Sequence, residues 1–237
     1  MILGGTDAIA DWYERIRAVK GKPGPPFRRL GNFLQLFRVE LPKAIYGEST
    51  FRVGLLRQNS AFIIPVIEEE EGAAWTVLGE EFRAGAGMRL TGFAAGSNDK
   101  EEALRSLAER ELEEELGIQA DWLEEVSLIP TFAGGDFVSP GGTNEQIALY
   151  EARVRLPKGM LVQDLHKKTH GAKGEAEAVT SLVRELTPSL FHELHNTNEK
   201  LGLLLLLLAR AQNGSARSRE GMLNSILAES AKGAHNA

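Results

Sequence analysis

Three glutamates, Glu111, Glu114 and Glu115, fall within five residues of one another on a stretch with helical periodicity. Residues three and four apart share a helix face, so these carboxylates form a comb. They repel one another, and burying them without a partner is costly. A hard divalent cation relieves both problems: Mg²⁺ prefers oxygen ligands and often bridges carboxylates to phosphates. The competing reading is a solvated glutamate-rich helix with Arg105 and Arg110 as partners at helical spacing.

Local signals define the helix that carries the comb. Asp99 is placed to cap its start, with Glu102 three residues later completing a capping box. Gly117 suits the left-handed residue that ends it. Leu104, Leu107, Ala108 and Leu112 form a stripe that continues into the glutamates. A first helix is expected from Thr6 or Asp7, with Ile9, Trp12, Tyr13, Ile16 and Val19 on one face, ending at the run Lys20 to Pro26. From Phe33 to Arg83 four short apolar segments read as strands, with Glu68 to Gly72 as a hairpin tip. Further strands are expected near Val126 to Ile129, Gln146 to Val154 and Val179 to Glu185. Leu161 to Glu177 reads as a polar loop and Ser189 to Ala211 as a C-terminal helix. Strands, then helix, strands and helix, argue for an α+β fold with helices packed on a mixed sheet.

The 237 residues suffice for a full core without covalent staples. There is no cysteine, which excludes disulfides, thiol catalysis and zinc sites built on thiolates. The net charge of −6 argues against nucleic acid as a partner. The most apolar run, Leu201 to Ala211, is too short to span a membrane, which needs about 20 residues. The N-terminus lacks the pattern of a secretory signal, so a cytoplasmic location is expected. Beyond a weak H-x-x-H at His192 and His195 the five histidines show no zinc-site spacing, and most are expected on the surface or in loops.

The comb belongs to a longer pattern: Gly96, five residues, Glu102, seven residues, Arg110-Glu111-Leu112, one residue, Glu114-Glu115, one residue, Gly117-Ile118. A chance match in such a chain is on the order of one in ten million. This pattern resembles the Nudix box at every defined position, and a wider resemblance to Nudix hydrolases runs from about Arg57 to Ala211. The resemblance implies an α/β/α sandwich with a mixed sheet that hydrolyses nucleoside diphosphates linked to a further moiety, using Mg²⁺ or Mn²⁺. It implies metal binding by Glu111, Glu114, Glu115 and the carbonyl of Ala95, with Glu114 and Glu115 also catalytic. Gly96, Glu102, Arg110 and Gly117 would be structural members, with Glu102 and Arg110 pairing to hold the comb.

Features outside the box resemble the ADP-sugar pyrophosphatase branch of this superfamily. The run Glu81-Phe82-Arg83 is similar to a motif whose arginine contacts substrate, and a guanidinium fork suits diphosphate or ribose oxygens. The run Ser139 to Glu145 is similar to a loop lining the sugar side, which implies Glu145 and, at the start of the resembling span, Arg57 as further substrate-binding residues. Glu175 and Glu177 stand where the branch carries two loop glutamates, implying a general base and a metal ligand respectively. One position departs: the branch usually has a glutamate four residues before the box glycine, and here that residue is Gly92. The resemblance also implies that residues 1–56 form a strand-rich extension building a homodimer, that 57–211 form the catalytic domain, and that 212–237 are a polar tail. The expected function is metal-dependent hydrolysis of a nucleotide sugar of ADP-ribose or ADP-glucose type. The alternatives are another Nudix specificity (GDP-mannose, a UDP-sugar or a dinucleoside polyphosphate) and a non-catalytic nucleotide-sugar sensor.

Overall fold

Ile9, Trp12, Tyr13 and Ile16 do share one helical face, and they bury it against a sheet. The computed structural model describes residues 8–24, 28–30, 34–47, 50–69, 73–83, 86–98, 102–129, 136–171, 178–213, 221 and 224–226. The expected helix caps Thr6 and Asp7, and most of the polar tail, lie outside them. In chain order the first elements are α1 (Ala8–Ala18), β1 (Lys22–Pro23), β2 (Arg28–Leu30), β3 (Leu34–Leu41), α2 (Lys43–Tyr46), β4 (Thr50–Arg57), β5 (Ser60–Glu68), β6 (Ala74–Arg83), β7 (Met88–Gly92) and β8 (Ala94–Ser97). Then come α3 (Leu104–Leu116), β9 (Leu123–Leu128), β10 (Asp136–Phe137), β11 (Gln146–Val154), β12 (Thr169–His170), β13 (Val179–Glu185) and α4 (Thr197–Asn213).

The chain divides into two compact units. The first comprises residues 1–61, 96–107 and 131–148. In it β3 pairs antiparallel with β4 along its whole length, while its other edge takes β1 and β2. Phe37, Val39 and Leu41 of β3 join Leu56 in a core with Ile9 and Trp12. The Trp12 ring lies 4.4 Å from Phe37 and meets Tyr13 edge-on at 5.1 Å. Directly opposed strand residues share a face. The pairs Leu36 with Leu55, Arg38 with Val53 and Glu40 with Phe51 therefore form the other face, where all four apolar members are exposed.

The second unit comprises residues 62–95, 108–130 and 149–237. Its strands follow the order β11-β5-β6-β13-β12, with β9 on β11, β7 on β6 and β8 on β5. β6 pairs antiparallel with β13, from Glu80 opposite Thr180 to Trp75 opposite Glu185. Leu112 and Leu116 of α3 are fully buried, as are Leu203, Leu206 and Leu207 of α4. Gly202 brings α4 against Leu149 of β11 and Ile64 of β5. A mixed sheet carrying helices makes the fold α+β, as the residue patterns lead one to expect.

Three of the expected elements differ in their bounds or content. α3 starts at Leu104, not Asp99, because the Asn98 side chain holds the Glu102 backbone ahead of the helix. Glu102 N–H donates to Asn98 Oδ1 at 2.8 Å, and Asn98 Nδ2 donates to the Glu102 carbonyl at 2.7 Å. Asp99 itself lies outside the described residues. α4 starts at Thr197, not Ser189: Pro188–His192 form a 3-10 turn, and Asn196 Oδ1 then accepts the N–H of Asn198 at 2.9 Å. The expected loop Leu161 to Glu177 contains a 3-10 turn at Val162–Leu165 and the strand β12, because Val162 and Leu165 are buried.

Candidate active site

The comb forms at the C-terminal half of α3, and its teeth do not share one environment. Glu111 and Glu115, four residues apart, are turned inward with Leu112 and are 9% and 7% exposed. Glu114 faces partly outward. Arg110 bridges the two directions, 2.9 Å from Glu111 Oε1 and 2.8 Å from Glu114 Oε2. The expected holding role of Arg110 is thus directed at the comb itself.

Glu115 is the most strained of these groups electrostatically. Burial pushes its carboxyl well above the usual range, and the neighbouring Glu111 and Glu81 carboxylates push it further. The Ala95 N–H, which donates to Glu115 Oε2 at 3.0 Å, and the Arg83 guanidinium act in the opposite sense. Of Ala95, therefore, the amide N–H is what meets the comb in this structure. Among the described residues no group of three or more histidine, aspartate or glutamate side chains is arranged as a metal cage.

Arg83, at the end of β6, is tied to Glu81 at 2.5 Å, with Glu81 buried and Arg83 half-exposed. Glu81 stands in the motif quoted for Arg83, and its alternation along β6 was the available signal for its inward direction. Behind Arg83 lies Glu199, in the first turn of α4. It is 4% exposed, and burial raises its carboxyl to about 8, with Glu81 adding to the effect and Arg83 opposing it. No local signal marked Glu199: an acid in the first turn of a helix ordinarily just offsets the helix dipole.

On the outer side, Glu114 and Arg110 line an open cleft of about 720 Å³ with Gly117, Gln119 and His170. His170, in the segment expected as a loop, is half-buried because Gly117 ends α3 at φ 68° and leaves room for its ring. Burial, and then Lys168, lower the His170 pKa, and its Nε2 is buried without a hydrogen-bond partner. Gly171 closes the cleft's lining. Glu175 and Glu177, the expected loop base and loop ligand, lie outside the described residues.

In the first unit, Arg57 and Glu145 do come together. Arg57 Nη1 donates to Glu145 Oε2 at 3.0 Å, and Ser60 Oγ donates to Oε1 at 2.6 Å. Asn144 clamps the Arg57 backbone through both ends of its amide, at 2.7 and 3.0 Å. Glu145 is therefore fully engaged and buried in a polar network. Gly96 lies in β8, one residue beyond Ala95.

The fold and these acids define a class of molecule: an α+β protein that buries carboxylates at the end of one helix beside a strand-borne arginine. No family model matches the chain, and no curated protein is similar to it. Among solved structures, the crystal structure of an ADP compounds hydrolase is similar, with a TM-score of 0.54 and 16% identity. The match covers 78% of this chain and 92% of that one. The chain shares the fold of that structure.

Proposed function

We propose that this protein hydrolyses the pyrophosphate bond of a nucleoside diphosphate sugar of ADP-ribose or ADP-glucose type, releasing a nucleoside monophosphate and a sugar phosphate, with Mg²⁺ or Mn²⁺. The observation that carries the reading is the buried pair Glu111 and Glu115 beside a third acid, Glu114. Two adjacent buried carboxylates are costly, and Arg110 and Arg83 offset them only in part. Hard oxygen donors in surplus fit Mg²⁺. The cation, when bound, neutralises phosphate oxygens and lowers the pKa of a bound water.

The chain's own groups have distinct tasks in this reading. Glu111, Glu114 and Glu115 hold the cation, together with the Ala95 backbone and Glu177. Arg110 keeps Glu111 and Glu114 oriented. Arg83, steadied by Glu81, presents its fork to the diphosphate or ribose oxygens. Glu175 takes the proton of the attacking water as general base. Arg57 and Glu145 shape the substrate-binding loop as an ion pair. The exposed apolar face of Leu36, Phe51, Val53 and Leu55 supports a homodimer, and a cytoplasmic location belongs to the same reading.

The test is a hydrolysis panel with Mg²⁺ containing ADP-ribose, ADP-glucose, GDP-mannose, UDP-glucose and a diadenosine polyphosphate. Release of a nucleoside monophosphate from a nucleotide sugar is expected, falling about 10²-fold or more in Glu115→Gln. No turnover of any nucleotide sugar by the wild type would overturn the reading. Turnover of the diadenosine compound alone would keep the chemistry and discard the sugar.

A further inference from the structure

Glu199 is the most deeply buried carboxylate in the second unit that the proposed chemistry leaves without a task. Its Oε2 is buried and has no hydrogen-bond partner among the described residues. A buried polar atom left unpaired costs about 1–3 kcal/mol, so the site favours a ligand that bonds it. Its carboxylate borders a cavity of about 230 Å³, together with Arg83, Thr91, Gly92 and Asn196. At about 30 Å³ per water that is room for roughly seven waters, or for one small polar ring.

The room exists because residue 92 is glycine. A Cβ built there would overlap both oxygens of the Glu199 carboxylate. The space that a side chain on β7 would fill is taken instead by an acid arriving from α4.

We propose that Glu199 is a specificity-determining residue of a subsite for a hydroxyl-bearing, sugar-like group of the substrate. This rests on the hydrolase reading above and names what that site distinguishes. The hydrogen-bonding groups that line the cavity select the ligand class. Two buried carboxylates, Glu81 and Glu199, flank one guanidinium, and Arg83 is already committed to Glu81. A second cation is not called for, since Arg83 supplies one. Hydroxyls suit the cavity, because a carboxyl group accepts from them and Asn196 both donates and accepts. A site built to bond hydroxyls discriminates strongly against ligands lacking them.

The test is calorimetric binding to the full chain without divalent metal, using ADP-ribose and ADP as probes. The wild type is expected to bind ADP-ribose at least tenfold more tightly than ADP. Glu199→Ala removes the acceptor, and Gly92→Ala displaces the carboxylate while keeping it. Both are expected to abolish that preference and leave ADP affinity within about twofold. Circular dichroism and melting curves establish that each variant is folded, and Glu199→Gln, which keeps one carbonyl acceptor, should retain part of the preference. A preference that survives in Glu199→Ala and Gly92→Ala, or a wild type without one, overturns the subsite. Wild type that prefers ADP-ribose yet hydrolyses none keeps the subsite and sinks the hydrolase reading. Hydrolysis with no preference to lose does the reverse.

Discussion

At the scale of single residues, the site is defined by acids kept where water is scarce. The Glu199 carboxyl is raised from 4.5 to about 8 by burial, so the folded protein binds its proton more tightly than the unfolded chain does. The stability this contributes is full below about pH 4.5 and is lost as pH rises toward 8. Glu115 is shifted in the same direction and adds to the slope. Melting temperature in metal-free buffer is therefore expected to fall between pH 5 and pH 8.5. Glu199→Gln should flatten that fall, whereas an unchanged slope in the variant would show that the carboxyl is not buried as described. The three box glutamates were legible in the sequence because a helical repeat puts acids where leucines had been. Glu199 was not, since its burial comes from the approach of α4 to Gly92, a contact between residues more than a hundred positions apart.

Among the elements, α3 was read correctly in its body and end and misread at its start. Its end follows from Gly117, whose φ of 68° only glycine adopts without strain. Its start depends on Asn98 reaching over to the Glu102 backbone, and a capping box written in the same residues gave no hint of that competition. β7 and β8 were missed because a five-residue and a four-residue strand, both containing glycine, carry little alternation. Gly117→Ala should cost about 1–2 kcal/mol from backbone strain alone, and more because the new methyl group meets the His170 ring. Combining it with His170→Ala should recover the steric share and not the backbone share. Thermal denaturation of the three variants decides it: equal destabilisation with and without the ring would refute the contact.

For the molecule as a whole, the consequential surface is the exposed face of the β3 and β4 pair in the first unit. Four apolar side chains stand in two adjacent strands, with Arg38 3.8 Å over the Phe51 ring. Introducing a charge at its centre, Val53→Glu, is expected to convert a dimer of about twice 25.9 kDa to monomer without loss of helix content. Light scattering reads the mass, and a wild type that is monomeric at micromolar concentration would remove the homodimer from the proposal. The order of strand-like and helical segments along the sequence was enough to predict an α+β chain. That order did not predict that residues 131–148, far along the chain, cluster with the first 61, because such grouping follows from pairings like Arg57 with Glu145.

The aromatic cluster of the first unit also gives the protein an internal reporter. Trp12 sits within the ring group of α1 and β3, while Trp75 and Trp122 belong to the second unit. Tryptophan emission shifts and quenches as its surroundings become wet, so a Trp12→Phe variant emits from the second unit alone. Subtracting its denaturant curve from that of the wild type isolates the signal of the first unit. Because the chain has no thiol of its own, a single introduced cysteine would accept a dye at one known place and give a second, independent optical signal.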